Sequence, residues 1–224
     1  MNRKEFAERI SAGLAGWLQQ LAAQDLEGYV GEDAARVELV RMIGAQKTFV
    51  PATSKRPTNW PKSTKRRIDI AVLGKSADAK GWYGAIELKW PGVSINVRET
   101  RHQIVEDAIR VAFSTTANLS ANFLVLGGTA TTIANLFDTA HPQSQEAEDQ
   151  RVDFNRLFSR DLQNPNAQLS NADLNLYFPD FGERVPQAAF GNWNRRFATT
   201  LIAVSISRVG SADKGLVYVW QCKK

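Results

Sequence analysis

The sequence predicts an α/β fold, with a central mixed β-sheet flanked by helices on both faces. Two kinds of pattern carry that prediction. Short, branched apolar runs over 67–73, 83–90 and 122–126 have the length and punctuation of strands. Longer stretches, over 3–21 and 99–113, place apolar residues at helical spacing. With 224 residues, 43% of them apolar and 23% charged, the chain is long enough for one domain with a proper core.

The elements follow in order. Phe6, Ile10, Leu14, Trp17, Leu18 and Leu21 make an apolar stripe on a helix over 3–21, facing the core or a partner subunit. Glu32 or Asp33 starts a second helix that runs to about Gly44 and carries Val37, Leu39, Val40 and Ile43. Residues 48–52 form a first strand, and the runs over 67–73 and 83–90 form a hairpin across a polar turn. Pro91-Gly92 ends the hairpin, 93–97 connects, and Ile104, Ala108, Ile109, Ala112 and Phe113 line the helix over 99–113. Phe123 to Leu126 is a buried strand, and Gly127-Gly128-Thr129 opens a helix to Phe137. That glycine pair reads as a tight turn or as a phosphate cradle at a helix N-terminus. A helical pattern over 152–162, an irregular insertion over 164–194 and a C-terminal hairpin over 201–221 complete the chain.

The hairpin carries the chemistry. Side chains alternate across a strand, so Asp69, Ala71 and Leu73 share one face, as do Ala85, Glu87 and Lys89 on the next strand. A turn symmetric about Asp78 sets Asp69 across from Glu87, with Lys89 as a diagonal neighbour. Opposed like charges destabilise a strand pair, and one lysine supplies only one compensating charge. A divalent cation would supply the rest. Mg2+ or Mn2+, which prefer oxygen ligands and keep positions open for water and phosphate, suit such a pair.

Asp69 followed by Glu87-Leu88-Lys89 on the next strand resembles the PD-(D/E)XK nuclease superfamily, over roughly 34–128. The proline that often precedes the aspartate is Ile68 here. The resemblance implies a restriction-endonuclease-like domain and metal-dependent phosphodiester hydrolysis, with DNA ahead of RNA as substrate. Restriction, phage defence and DNA repair are all open to it. It implies Asp69, Glu87 and the Leu88 carbonyl as metal ligands and Lys89 as a catalytic cation. Glu38, on the helix before the first strand, matches an acid that often joins the metal, or is an exposed helix glutamate. Gln103, on the following helix, matches a residue lent to the site, or is a surface residue. Many members work as dimers, and the N-terminal helix could serve that purpose. The rival reading is a module on the same fold that binds nucleic acid or a partner without cutting.

Charge and composition agree with a nucleic-acid partner without requiring one. The net charge is +5, and from Lys47 to Arg67 seven basic residues occur with no acid. Trp60 lies among them, and basic loops with an aromatic can track phosphates and stack on bases, or be solvated surface. The expected contacts are Lys62, Lys65, Arg66 and Arg67. One cysteine and two histidines argue against a disulfide framework and a structural zinc site, and fit a cytoplasmic protein. No apolar run is long enough for a membrane span. Replacing Lys65, Arg66 and Arg67 by alanine should weaken DNA binding alike across sequences and flatten the logarithmic salt slope by about 3. Titrations at several salt concentrations check this, and an unchanged slope would show that the segment makes no phosphate contacts.

Overall fold

A computed structural model describes residues 2–46, 48–55, 67–74, 82–114, 121–138, 140, 154–160, 167–169 and 197–223. Trp60, Lys62, Lys65 and Arg66 lie outside the described residues, as does most of the expected insertion over 164–194. In chain order the elements are α1 (Arg3–Ala22), α2 (Glu32–Gly44), β1 (Phe49–Lys55), β2 (Ile68–Gly74), β3 (Trp82–Lys89), α3 (Val97–Phe113), β4 (Ala121–Thr129), α4 (Ala130–Phe137), β5 (Ala167–Leu169), β6 (Phe197–Val209) and β7 (Ala212–Lys223). Side-chain caps set three helix starts, where Asn2, Asn96 and Thr129 accept from the N–H of Glu5, Glu99 and Thr132 at 2.8, 3.2 and 3.2 Å. Such a cap is typically worth about 1 kcal/mol.

The strands form one mixed sheet in the order β1-β2-β3-β4-β7-β6-β5. Among the described strands only β3 and β4 run parallel, and α3 supplies the crossover that a parallel pair needs. Pro51, which has no N–H to give, sits on the edge strand β1. The two faces are covered separately. Phe6, Ile10, Leu14 and Leu18 of α1 and Leu39 and Ile43 of α2 pack with Ile70, Val72, Ile86, Leu88 and Trp90. On the other face α3, α4 and Phe154, Leu157 and Phe158 pack with Ala85, Leu124, Leu126, Tyr218 and Trp220. The stripe of α1 is therefore spent within the chain, where Phe6 meets Phe49 and Phe123 with ring centroids 5.5 and 5.8 Å apart. Burying each such side chain contributes roughly 1.5–3 kcal/mol.

Three expectations are revised. The C-terminal hairpin is longer than 201–221 because Gly210, at φ +61°, closes it in two residues and lets both strands run on. Of the helix expected over 152–162, the described residues carry one turn at 154–157. Gly127 and Gly128 are not a turn or a phosphate cradle. They extend β4 and pair with Val217 and Leu216. Glycine is needed at 127 because the indole of Trp90 lies against the backbone, where a Cβ would collide with its ring.

Arg101, on α3, is buried and works as a clamp. Its guanidinium donates to the Leu136 and Asp138 carbonyls at 2.8 and 3.0 Å, at the C-terminal end of α4. A cation there also meets the negative end of the helix dipole. Among the described residues no helix is long and apolar enough to cross a membrane. Gly127→Ala should cost about 1–3 kcal/mol through overpacking against Trp90, measured by urea unfolding. A loss within about 0.5 kcal/mol would mean that the ring moves aside freely.

Candidate metal centre and its counter-ions

The site is built on β2 and β3. Their register pairs Ile70 with Ile86 and Ala71 with Ala85, so one step back Asp69 faces Glu87. Asp69 also ties the two strands together, since its Oδ2 accepts the Leu88 N–H at 3.0 Å. Glu87, on a strand with neighbours on both sides, is 1% exposed. Lys89 follows on the same face.

Two helices bring further charges. From α3, Arg110 donates through Nε to Glu87 Oε1 at 2.6 Å, and its Nη2 pairs with Asp107. From the start of α2, Glu32 Oε2 lies 3.6 Å from Lys89 Nζ and accepts the Trp90 N–H at 3.5 Å. Arg36, one turn on, links Glu32 to Asp69 at 3.0 and 3.4 Å. Lys89 Nζ is also 4.0 Å from Asp107 Oδ2. Among the described residues, five carboxylates, Glu32, Asp33, Asp69, Glu87 and Asp107, thus meet three cations, Arg36, Lys89 and Arg110.

The imbalance has consequences for protonation. Burial pushes the Glu87 carboxyl well above the usual carboxylate range; Arg110 opposes this, while Asp107 and Asp69 add to it. Burial likewise pushes Asp107 up to about 6, against the pull of Arg110 and Lys89. Burial also works against the charge on Arg110, but Glu87 and Asp107 outweigh it and hold the guanidinium protonated. Glu87 Oε2 is buried with no hydrogen-bond partner among the described residues. A buried carboxylate oxygen left unpaired costs about 1–3 kcal/mol or more, so this atom calls for a proton or a cation.

That orphaned oxygen and the all-oxygen donor set fit a hard divalent cation. Among the described residues, no three His, Cys, Asp or Glu side chains are grouped so as to enclose a metal ion.

The expected residues are placed unequally. Asp69, Glu87 and Lys89 come together. Glu38 does not join them: it lies about 120° around α2 from Glu32. Arg41 takes both of its oxygens, at 2.8 and 2.5 Å, and lowers its pKa. Gln103 donates to Glu99 at 3.3 Å on an exposed part of α3, one turn before Asp107. Arg67, exposed, leads directly into β2. Glu32, Arg36, Asp107 and Arg110 were not anticipated. Asp107 had a signal, because it falls in the apolar stripe between Ile104 and Val111, where a charge needs a reason. Glu32 was read only as a helix start.

No protein-family profile, curated protein or solved structure matches this chain.

Arg110→Met should destabilise the protein by about 3–5 kcal/mol, because it leaves the buried Glu87 carboxylate without its cation. Glu87→Gln keeps an acceptor for Arg110 and removes the surplus charge, so it should cost less than about 1 kcal/mol. Denaturant melts of both variants check the pair, and equal losses would contradict the charge accounting.

Proposed function

We propose that this protein is a metal-dependent nuclease on a restriction-endonuclease-like scaffold, hydrolysing phosphodiester bonds of DNA in preference to RNA. The observation that carries this reading is the convergence of Asp69 and Glu87 from adjacent antiparallel strands, with Lys89 beside them and a buried oxygen of Glu87 unpartnered. The order of elements around it supports the same reading: a helix, three antiparallel strands, a crossover helix and a parallel strand.

Asp69 and Glu87 would hold Mg2+ or Mn2+, with the Leu88 carbonyl as a further ligand by the resemblance. The cation, when bound, would neutralise charge at phosphorus and make water a better nucleophile. Lys89 would orient the attacking water and stabilise charge developing on the phosphate. Glu32, 3.6 Å from Lys89 Nζ, would keep that ammonium aimed at the site. Arg67, with Lys62, Lys65 and Arg66, would track the phosphates leading into the site. A cytoplasmic role in restriction, phage defence or repair is compatible with this chemistry.

The alternative, a binding module that does not cut, draws support from the guanidinium groups that occupy the carboxylates. Cleavage of circular and linear DNA, single-stranded DNA and RNA with Mg2+ or Mn2+ separates the two. Wild type should cut in a metal-dependent way, and Lys89→Ala should lose about 10²–10³-fold in rate. Glu32→Gln should slow cutting by roughly tenfold through misplacement of Lys89, while Glu38→Gln stays within about twofold. No cutting by folded wild type, with DNA bound equally well by Asp69→Ala, would favour the module.

A further inference from the structure

The three cations of the site are held differently. Lys89 stands 3.6 and 4.0 Å from its two acids, and Arg36 divides itself among Glu32, Asp33 and Asp69. Arg110 grips Glu87 at 2.6 Å and Asp107 with a second nitrogen. Glu87 consequently has one oxygen in use and one idle, both buried inside the sheet. The strand holds Glu87 in place. Arg110 is freer, because its side chain keeps 18% of its surface exposed and so has a way out.

We propose that Arg110 is an exchangeable counter-ion, whose guanidinium holds Glu87 in the cation-free protein and yields that carboxylate to a divalent cation. The inference rests on the metal-site reading above. Exchange replaces one positive charge at Glu87 by two, in a cluster where, among the described residues, carboxylates outnumber cations. Asp107 is not stranded when Arg110 moves, since Lys89 Nζ is already 4.0 Å from its Oδ2. Glu87 then uses both oxygens, and the idle one ceases to cost anything. The affinity of the wild-type site for a cation is the gross affinity less the free energy of breaking the Arg110 pair. Arg110 thus sets the cation concentration at which the site fills.

Mn2+ titration calorimetry, with the Mn2+-dependent rise in Tm as a second readout, tests this on wild type, Arg110→Met, Arg110→Lys and Glu87→Gln. Arg110→Met should bind Mn2+ roughly tenfold or more tightly than wild type, the low end of measured couplings between close charge pairs. Its Tm should also rise more on Mn2+ addition, because the cation replaces the missing charge. Arg110→Lys, which cannot reproduce the two-nitrogen grip, should fall between them. Glu87→Gln should bind at least about tenfold more weakly than wild type, which monitors the metal site itself. If wild type binds, Glu87→Gln does not, and Arg110→Met binds no more tightly, the exchange is overturned while the metal site stands. No binding by any folded variant would overturn both. Should Arg110→Met fail to fold, Arg110→Lys decides, and affinity equal to or below wild type overturns the exchange.

Discussion

A carboxylate on a strand with neighbours on both sides cannot keep its charge without a cation, and Glu87 depends on Arg110 for one. Desolvating such an ion costs several kcal/mol, so the pair does little for stability as a sum. What it does is fix positions. Glu87 is held by β3 and Arg110 by α3, so the ion pair sets how the helix lies over the sheet at this point. Asp107, one turn back from Arg110, is carried into the same cluster, and through Lys89 it connects to Glu32 at the start of α2. Elements from both faces of the sheet meet at one group of charges.

The strand β3 makes this possible because its two faces do different work. Ile86, Leu88 and Trp90 fill the core beneath α1 and α2, while Ala85 packs toward α3 and Glu87 and Lys89 turn their charges to the cluster. Ordinary strand alternation separates a dry side from a charged one. The Leu88 N–H, donated to Asp69, belongs to both: it sits between two cluster residues while its side chain anchors the opposite core.

Much of this was legible in the sequence, for identifiable reasons. Strand alternation and spacing are local properties, so Asp69 and Glu87 could be set opposite each other from the sequence. The pairing of Ile70 with Ile86 and Ala71 with Ala85 agrees, although the register shifts by one residue between Val72 and Leu73. The helix partners were not legible in the same way. Which face of α2 meets the end of β3 depends on the path of the chain between them, so Glu38 was placed at the site and Glu32 only at the helix start. Gly127 misled for another reason. A glycine before a helix suggests a turn, whereas this one answers to Trp90, thirty-seven positions away, a distance no local pattern registers.

The Arg101 clamp acquires a mechanical meaning beside the charge cluster. Arg110 lies about 13 Å further along the α3 axis than Arg101. A tilt of ~5° about that anchor would sweep the Arg110 backbone through ~1 Å, more than the ~0.5 Å within which a working site must be held. The buried guanidinium at one end of the helix therefore acts as the fixed end of a lever. The hydrogen bonds to the Leu136 and Asp138 carbonyls, remote from the charge cluster, limit the aim of the other end.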